Sequence, residues 1–354
     1  HIEHYLGSLS GAEANEVLSS VFRVGGRSLA LWLIDWFGKT GSDMHGAPER
    51  YRQILHVLRQ LPEMRQLRFP KPDGAILYSN ISHYGEHWWG GAGLDHEVAF
   101  TLLGPRARSW FQFVSDFQIA DRTVNLGRFK VLYVPRCVYQ DDETVDRIRG
   151  FVGPGGTLVA ATPHVFRWRP DGTERKTLPV DLAGVHATGK RPTPGAFRIV
   201  AGNDMPALSA MAATPIPVFA DEVLSIELAG ARSLAEFADG QPAVMVNKVG
   251  QGRVVTFAVN PFRHNALSNR TWWQFFKALQ QDLGCGVDRD IWRFRFPLQA
   301  ETPESPYPED LLCLTGNACG WRRDRPALGP NAARPFTCTY SDVPDLIAEE
   351  HPGR

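Results

Sequence analysis

The sequence predicts an α/β protein of two or three domains, and three observations carry that expectation. The stretch Phe129 to Pro163, FKVLYVPRCVYQDDETVDRIRGFVGPGGTLVAATP, reads as a buried strand, a helix and a second buried strand. Ser28 to Leu61 repeats strand and helix on a smaller scale. From Arg289 onward the pattern switches to period two, as in WRFRFPLQA, which marks a β-rich tail.

The first stretch organises the rest. Phe129 to Pro135 is an apolar, β-branched and aromatic run of strand length bounded by proline, as expected of a strand covered on both faces. Asp141 and Asp142 can cap a helix, and Val145, Ile148, Phe151 and Val152 recur at helical spacing until Gly153-Pro154-Gly155-Gly156 interrupts them. Thr157 to Ala161 is the second buried strand. A unit of this length implies parallel pairing and a right-handed crossover.

Upstream, Ser10 caps a helix running to about Val24, with Ala14, Val17, Leu18, Val21 and Phe22 on its apolar face and Gly25-Gly26 ending it. Ser28 to Phe37, SLALWLIDWF, is too apolar for an edge strand, and Gly38 to Pro48 is a polar loop. A helix follows from Pro48 or Glu49, with Tyr51, Ile54, Leu55, Leu58 and Leu61 facing inward. This alternation is the local pattern of a (β/α) barrel, of which about a quarter would be present. Phe69-Pro70-Lys71-Pro72 reads as a linker and Ala75 to Ser79 as the first strand of the next domain. The polar, aromatic and glycine-rich Asn80 to Gly93 is expected as a loop at that strand's carboxyl end, where ligands of open α/β sheets collect.

Leu94 to Leu103 is read as a helix, Trp110 to Val114 as a strand, and Pro170 to Pro217 as loops with short strands. Ala243 to Val246 and Arg253 to Val259 flank the turn Lys248 to Gly252, a hairpin signal. Asn265 to Leu283 is expected as a closing amphipathic helix, and LLCLTG and FTCTY continue the β character of the tail.

At 354 residues, 43% hydrophobic and 21% charged, the chain has a globular composition. Thirty-eight basic residues balance thirty-eight acidic ones, so no global field favours nucleic acid or an anionic membrane, and neither is expected as a partner. No run approaches the roughly twenty apolar residues of a membrane helix, and no signal-peptide pattern is visible. A soluble, cytoplasmic protein is expected. Cys137, Cys285, Cys313, Cys319 and Cys338 are odd in number and lack CxxC spacing, which favours free thiols in a reducing compartment. A pairing of Cys313 with Cys319 or Cys338 stays open. The chain opens on His1 and ends on Pro352-Gly353-Arg354, and is expected to be cut from something longer.

The FKVLYVP strand, the helix ending in GPGGTLVAATP, the GQGRVVTFAVNPF hairpin and the barrel-like LALWLIDWF ahead of them, in that order, resemble the C-terminal half of β-galactosidase-like glycoside hydrolases of family 42. The resemblance implies three domains. Residues 1–68 would be the C-terminal end of a (β/α)8 catalytic barrel. Residues 69–288 would be a flavodoxin-like, class I glutamine amidotransferase-like three-layer domain used for trimerisation, and 289–354 a small, incomplete β domain. It also implies a carbohydrate substrate and a retaining mechanism without cofactor, using two carboxyl groups about 5 to 5.5 Å apart. The first six barrel strands are absent, which puts catalysis by this chain alone in doubt.

By the resemblance, the nucleophile lies at the end of the seventh barrel strand, where Ile2-Glu3-His4-Tyr5 stands, so Glu3 is the candidate; a solvated terminal side chain is the bland reading. The acid/base would lie in absent sequence. Trp36, near the end of the eighth-strand candidate, can stack on a sugar face, with core packing as the equal alternative. Asp35 and His45 can bind a sugar hydroxyl or serve structure only. His83, Trp88 and Trp89 sit in an aromatic, hydrogen-bonding cluster that suits a substrate cleft, and the two tryptophans suit an interface anchor nearly as well. A metal held by His83, His87 and His96 would need three ligands to converge from loop spacing and is rejected.

An amidotransferase would need a nucleophile at the turn after the GGTLV strand, and Ala161-Thr162-Pro163-His164 supplies none. Cys137, after the preceding strand, could pair with His164, although a small buried thiol is the ordinary fate of cysteine. The alternative to the hydrolase is therefore a non-catalytic assembly and carbohydrate-binding module with an amidotransferase-like fold.

Overall fold

The computed structural model describes residues 11–26, 69–85, 92–177, 179–219 and 222–296. They fall in two compact units, His1–Phe69 with Arg293–Arg354, and Pro70–Trp292. The expected barrel strand and helix, within 27–68, and the remainder of the β tail, 297–354, lie outside the described residues.

In the first unit α1 (Gly11–Arg23) ends at Gly25, whose φ of +93° glycine adopts without strain. It buries Leu18 and Phe22 as the spacing requires, but also Asn15 and Ser19. Those polar groups are satisfied by main chain: Asn15 Nδ2 donates to Phe296 O at 2.8 Å, and Phe296 N donates to Ser19 Oγ at 3.0 Å. Phe22 meets the Phe296 ring edge-on at 5.2 Å. Glu16 bridges Arg23 and Arg295. Burial alone would raise its carboxyl, but the two guanidinium groups hold it below the usual range. The period-two alternation read as a strand in WRFRF is therefore corrected. Asp290–Arg293 is a 3-10 turn, and Phe294 to Phe296 has no strand partner, being held through its backbone on a helix.

The second unit is a nine-stranded sheet. Its first half contains β1 (Gly74–Tyr78), α2 (Asn80–Gly85), α3 (Ala92–Thr101), β2 (Phe111–Ser115), α4 (Asp116–Ala120), β3 (Val131–Val134), α5 (Asp142–Val152) and β4 (Thr157–Ala160). The second half contains β5 (Val185–Arg191), β6 (Ala196–Ile199), α6 (Pro206–Ser209), β7 (Ile216–Pro217), β8 (Val223–Leu228), β9 (Arg232–Phe237), β10 (Pro242–Val249), β11 (Gly252–Phe257) and α7 (Arg270–Asp282). The strand order is β2-β1-β3-β4-β11-β10-β9-β6-β7, and β5 with β8 makes a separate antiparallel ribbon. Neighbours from β2 to β11 are parallel, and those from β11 to β7 antiparallel.

The organising unit forms as its residues dictate. Every position of β3 and β4 is buried, and Asp141 caps α5 by accepting from Thr144 N at 2.6 Å. Two expectations are corrected. Asn80–Gly85 is a short helix instead of a loop, because Ser79 Oγ accepts the Ser82 N–H at 3.1 Å. The closing helix starts at Arg270, since Asn269 accepts from Thr271 N and Trp272 N at 3.0 and 3.1 Å and ends the preceding 3-10 turn. Under α7, Phe197, Phe257, Trp272, Phe275 and Phe276 pack with ring centroids 5.4 to 6.2 Å apart. No helix among the described residues is long and apolar enough to cross a membrane.

The two glycine-rich motifs of the sequence meet in space. The β10–β11 hairpin turns through Gly250-Gln251, with Gly250 at φ +61° as the first position of a type II′ turn demands. Gln251 N donates to Gly153 O at 2.8 Å, and Arg253 N to Gly156 O at 3.2 Å. A Cβ on Gly252 would stand 2.0 Å from Val152 O and 2.3 Å from Gly156 O. Gly252→Ala is expected to cost about 1–3 kcal/mol or more, with Tm lower by about 2 to 12 °C in thermal unfolding. Gly189→Ala, where a Cβ meets nothing within 4 Å, should stay within about 0.5 kcal/mol. Equal Tm values for the two variants would contradict the seating of the hairpin.

Candidate functional site

After β1 the chain moves to one side of the sheet to make β2, and then crosses to the other side to make β3. The crevice outside the carboxyl ends of β1 and β3 is thus where such a sheet accepts a ligand. Here it is filled. Asp116, at the end of β2, is fully buried and accepts from Asn80 Nδ2 at 2.7 Å, Phe117 N at 2.9 Å, Ile81 N at 3.1 Å, Ser79 Oγ at 3.2 Å and Gln140 Nε2 at 3.4 Å. Ser82 Oγ donates to Tyr139 O at 2.6 Å and accepts from Tyr139 N at 2.9 Å. Cys137 closes the plug. Burial pushes its thiol up to about 12 in spite of hydrogen bonds from Ser79, Ser82 and Gln140, and the nearby Asp116 adds to the rise.

One step along the sheet, a cavity of about 330 Å³ opens over the carboxyl ends of β3, β4 and β11. Arg136, Cys137, His164, Glu222, Asn260 and Arg263 are among the residues lining it. Asn260 Nδ2 donates to the buried Asp95 at 2.8 Å, and Arg136 NH1 lies 4.0 Å from the same carboxylate. Glu222 pairs with Lys190 at 2.6 Å. Burial, helped by Arg167, lowers the His164 pKa, so its imidazole is neutral near pH 7 and offers a donor and an acceptor.

The loop that follows the lining residues His164 and Val165 is held by Arg175, which is buried. It donates to Phe166 O and Trp168 O at 3.0 Å each, to Gln140 O at 2.8 Å and to Asp142 Oδ1 at 2.6 Å. Phe166, next to Val165 in that loop, stands at φ +59°.

Of the residues singled out in the sequence, Glu3, Asp35, Trp36, His45, Trp88 and Trp89 lie outside the described residues, as does His87. His83 is on α2, half-buried, with its ring 5.8 Å from Tyr78 and 6.0 Å from Tyr84. His96 is buried with its ring 5.3 Å from Tyr78 and donates from Nε2 to Leu77 O at 2.7 Å, so it serves the strand. Cys137 and His164 do line one cavity, but no hydrogen bond between them is among the contacts of the neutral thiol. Asp116, Gln140, Arg136, Asn260 and Arg263 were not singled out. The available signal was a polar residue directly after each strand run, as in FQFVSD, LYVPR and FAVNPFR.

No family model matches the sequence, and no curated protein matches it. The fold is similar to part of the fold of solved GH42 β-galactosidases. Gan42B, a GH42 β-galactosidase from G. stearothermophilus, superposes with a TM-score of 0.54 at 15% identity over 79% of this chain and 41% of its own. The β-galactosidase of Rahnella sp. R3 gives 0.49 at 20% identity over 65% of this chain and 34% of its own, and that of Marinomonas ef1 gives 0.48 at 12% over 79% and 42%. The chain thus spans less than half the length of the solved proteins it resembles.

The buried thiols set a pH dependence. Cys137 and Cys285 are both pushed up to about 12 by burial, against about 8.5 in an unfolded chain. The unfolded state therefore loses these protons first, so their contribution is full below about pH 8.5 and is lost as pH rises toward 12. Iodoacetamide at pH 8, followed by peptide mapping, should label Cys137 only after unfolding in urea. Rapid labelling of native Cys137 would instead reveal a thiolate nucleophile.

Proposed function

We propose that this chain is the C-terminal part of a β-galactosidase-like glycoside hydrolase, and that Pro70–Trp292 is its flavodoxin-like, amidotransferase-like domain, serving assembly. The observation that carries the reading is the parallel strand order β2-β1-β3-β4-β11, which is the 2-1-3-4-5 order of the flavodoxin class. The fold-level likeness to Gan42B supports it. The filled crevice and the protonated Cys137 speak against amidotransferase chemistry in this domain.

In this reading hydrolysis is a double displacement. Glu3 attacks the anomeric carbon while a carboxylic acid elsewhere in the barrel protonates the leaving oxygen. That second group, as a base, then activates the water that releases the sugar. Asp35, Trp36 and His45 border the sugar from the barrel, His83 from α2, and Trp88 and Trp89 from the segment that follows. The parent enzyme assembles as a trimer through this domain and needs no cofactor. The alternative of a non-catalytic carbohydrate-binding module shares the fold and differs only in the role of Glu3.

The test uses the parent enzyme with a nitrophenyl β-galactoside. Glu3→Ala should lower kcat by about three orders of magnitude or more. Added azide should restore turnover and give the α-galactosyl azide, since an external anion then attacks the face the carboxylate occupied. Unchanged kcat, or loss of activity without azide rescue, would remove Glu3 from the nucleophile role.

A further inference from the structure

We propose that the cavity over β3, β4 and β11 binds a small oxyanion-bearing molecule of about monosaccharide size, a sugar carboxylate or a sugar phosphate, through Arg136 and Arg263. The proposal stands apart from the hydrolase reading, because it concerns the Pro70–Trp292 unit alone.

Its position is the first argument. Open parallel sheets take ligands beyond their carboxyl ends, and the Asp116 cluster occupies that place over β1 and β3. The opening that remains lies over β3, β4 and β11, and its volume of about 330 Å³ is at the small end of ligand sites. A second hollow, of about 980 Å³, borders α5 and the approach to β3, and its Arg122 and Arg147 are matched by Glu143 and Asp146. It selects no charge.

The lining is the second argument. Guanidinium groups recognise carboxylate and phosphate through forked donors. Glu222, the one carboxylate in the lining, is engaged by Lys190 at the rim. Asp95, behind Arg136, is shared with Asn260. His164, Thr162 and Asn260 offer partners for hydroxyl groups, and Ala161, Leu224 and Ala258 give an apolar floor for the carbons of a ring.

The loop behind the lining is the third. Phe166 is fully buried at φ +59°, a conformation costing of order 1–3 kcal/mol in a bulky residue. Arg175 holds its carbonyl, and Phe166 N donates to Cys137 O at 2.6 Å. Strain held by a buried arginine directly behind the lining residues His164 and Val165 is the pattern of a loop kept in one shape at a ligand site.

Calorimetric titration of the full chain with galacturonate, galactose 6-phosphate, galactose and inorganic phosphate tests this. At least one of the two sugar anions should bind at least about tenfold more tightly than galactose and than inorganic phosphate, and which one binds identifies the oxyanion. Arg263→Gln should weaken that binding at least about tenfold while the variant still unfolds cooperatively from a folded state. Arg136→Gln should act alike, and if it unfolds, Arg263→Gln decides. Arg191→Gln, which removes a pairing with Asp239 outside the lining, should bind as the parent. The proposal is overturned if neither sugar anion binds at millimolar concentration. It also fails if galactose or inorganic phosphate binds as tightly as the sugar anions, or if Arg263→Gln keeps full affinity.

Discussion

The buried carboxylate of Asp116 is the constraint on which the rest of the sheet's carboxyl edge depends. A charge removed from water costs several kcal/mol unless neighbouring donors replace its hydration. Asp116 receives them from Ser79 and the start of α2, from the first turn of α4 and from Gln140 after β3. Three connections that are remote in sequence are thereby fixed to one pair of oxygens. Gln140 passes the constraint on: its Oε1 accepts from Asp141 N at 2.9 Å, and Asp141 caps α5. Removing one donor from such a cluster leaves the buried carboxyl short of a hydrogen bond, at a cost of about 1–3 kcal/mol or more.

Arg175 performs the complementary task on the other side of β3. It is a buried cation from the excursion after β4, and it gathers main-chain carbonyls of residues 140, 166 and 168 onto one guanidinium. Its charge is balanced by Asp142, whose carboxyl is held below the usual range first by Arg169 and then by Arg175. The first residue of α5 therefore joins the helix to the loop that follows His164 and Val165, and the cluster at Asp116 and the strained Phe166 meet through Gln140, Arg175 and Asp142.

The organising unit was legible because its signals are local. Buried β-branched runs, an aspartate cap and a glycine break each act within a few residues, and β3, α5 and β4 appear within one or two residues of the reading. What escaped has non-local causes. Asn15 and Ser19 read as polar positions on a helix, yet they are buried because they serve the backbone of Phe296. Phe294 and Phe296 alternate like a strand, but alternation cannot show that the available partner is a helix. The five-residue α4 and the π-turn at Leu102–Arg106 are too short for periodicity. The cavity draws Arg136, His164, Glu222 and Arg263 from four separate connections, which no spacing announces. The sugar-site candidates other than His83 lie outside the described residues.

Adjacent strand ends thus carry opposite solutions to one problem. Over β1 and β3 the acidic group is an acceptor with no exposure, and its hydrogen-bond donors come from the chain, so the place of a ligand is taken by side chains. Over β3, β4 and β11 the cationic groups are only half-buried; the Arg136 side chain keeps 35% exposure. A group partly open to solvent can accept a ligand oxygen without disturbing the main chain, whereas a donor set closed around Asp116 can exchange nothing without unfolding the loops it holds. A sheet that has closed its usual crevice with a buried acid can therefore still accept a ligand, one strand further on.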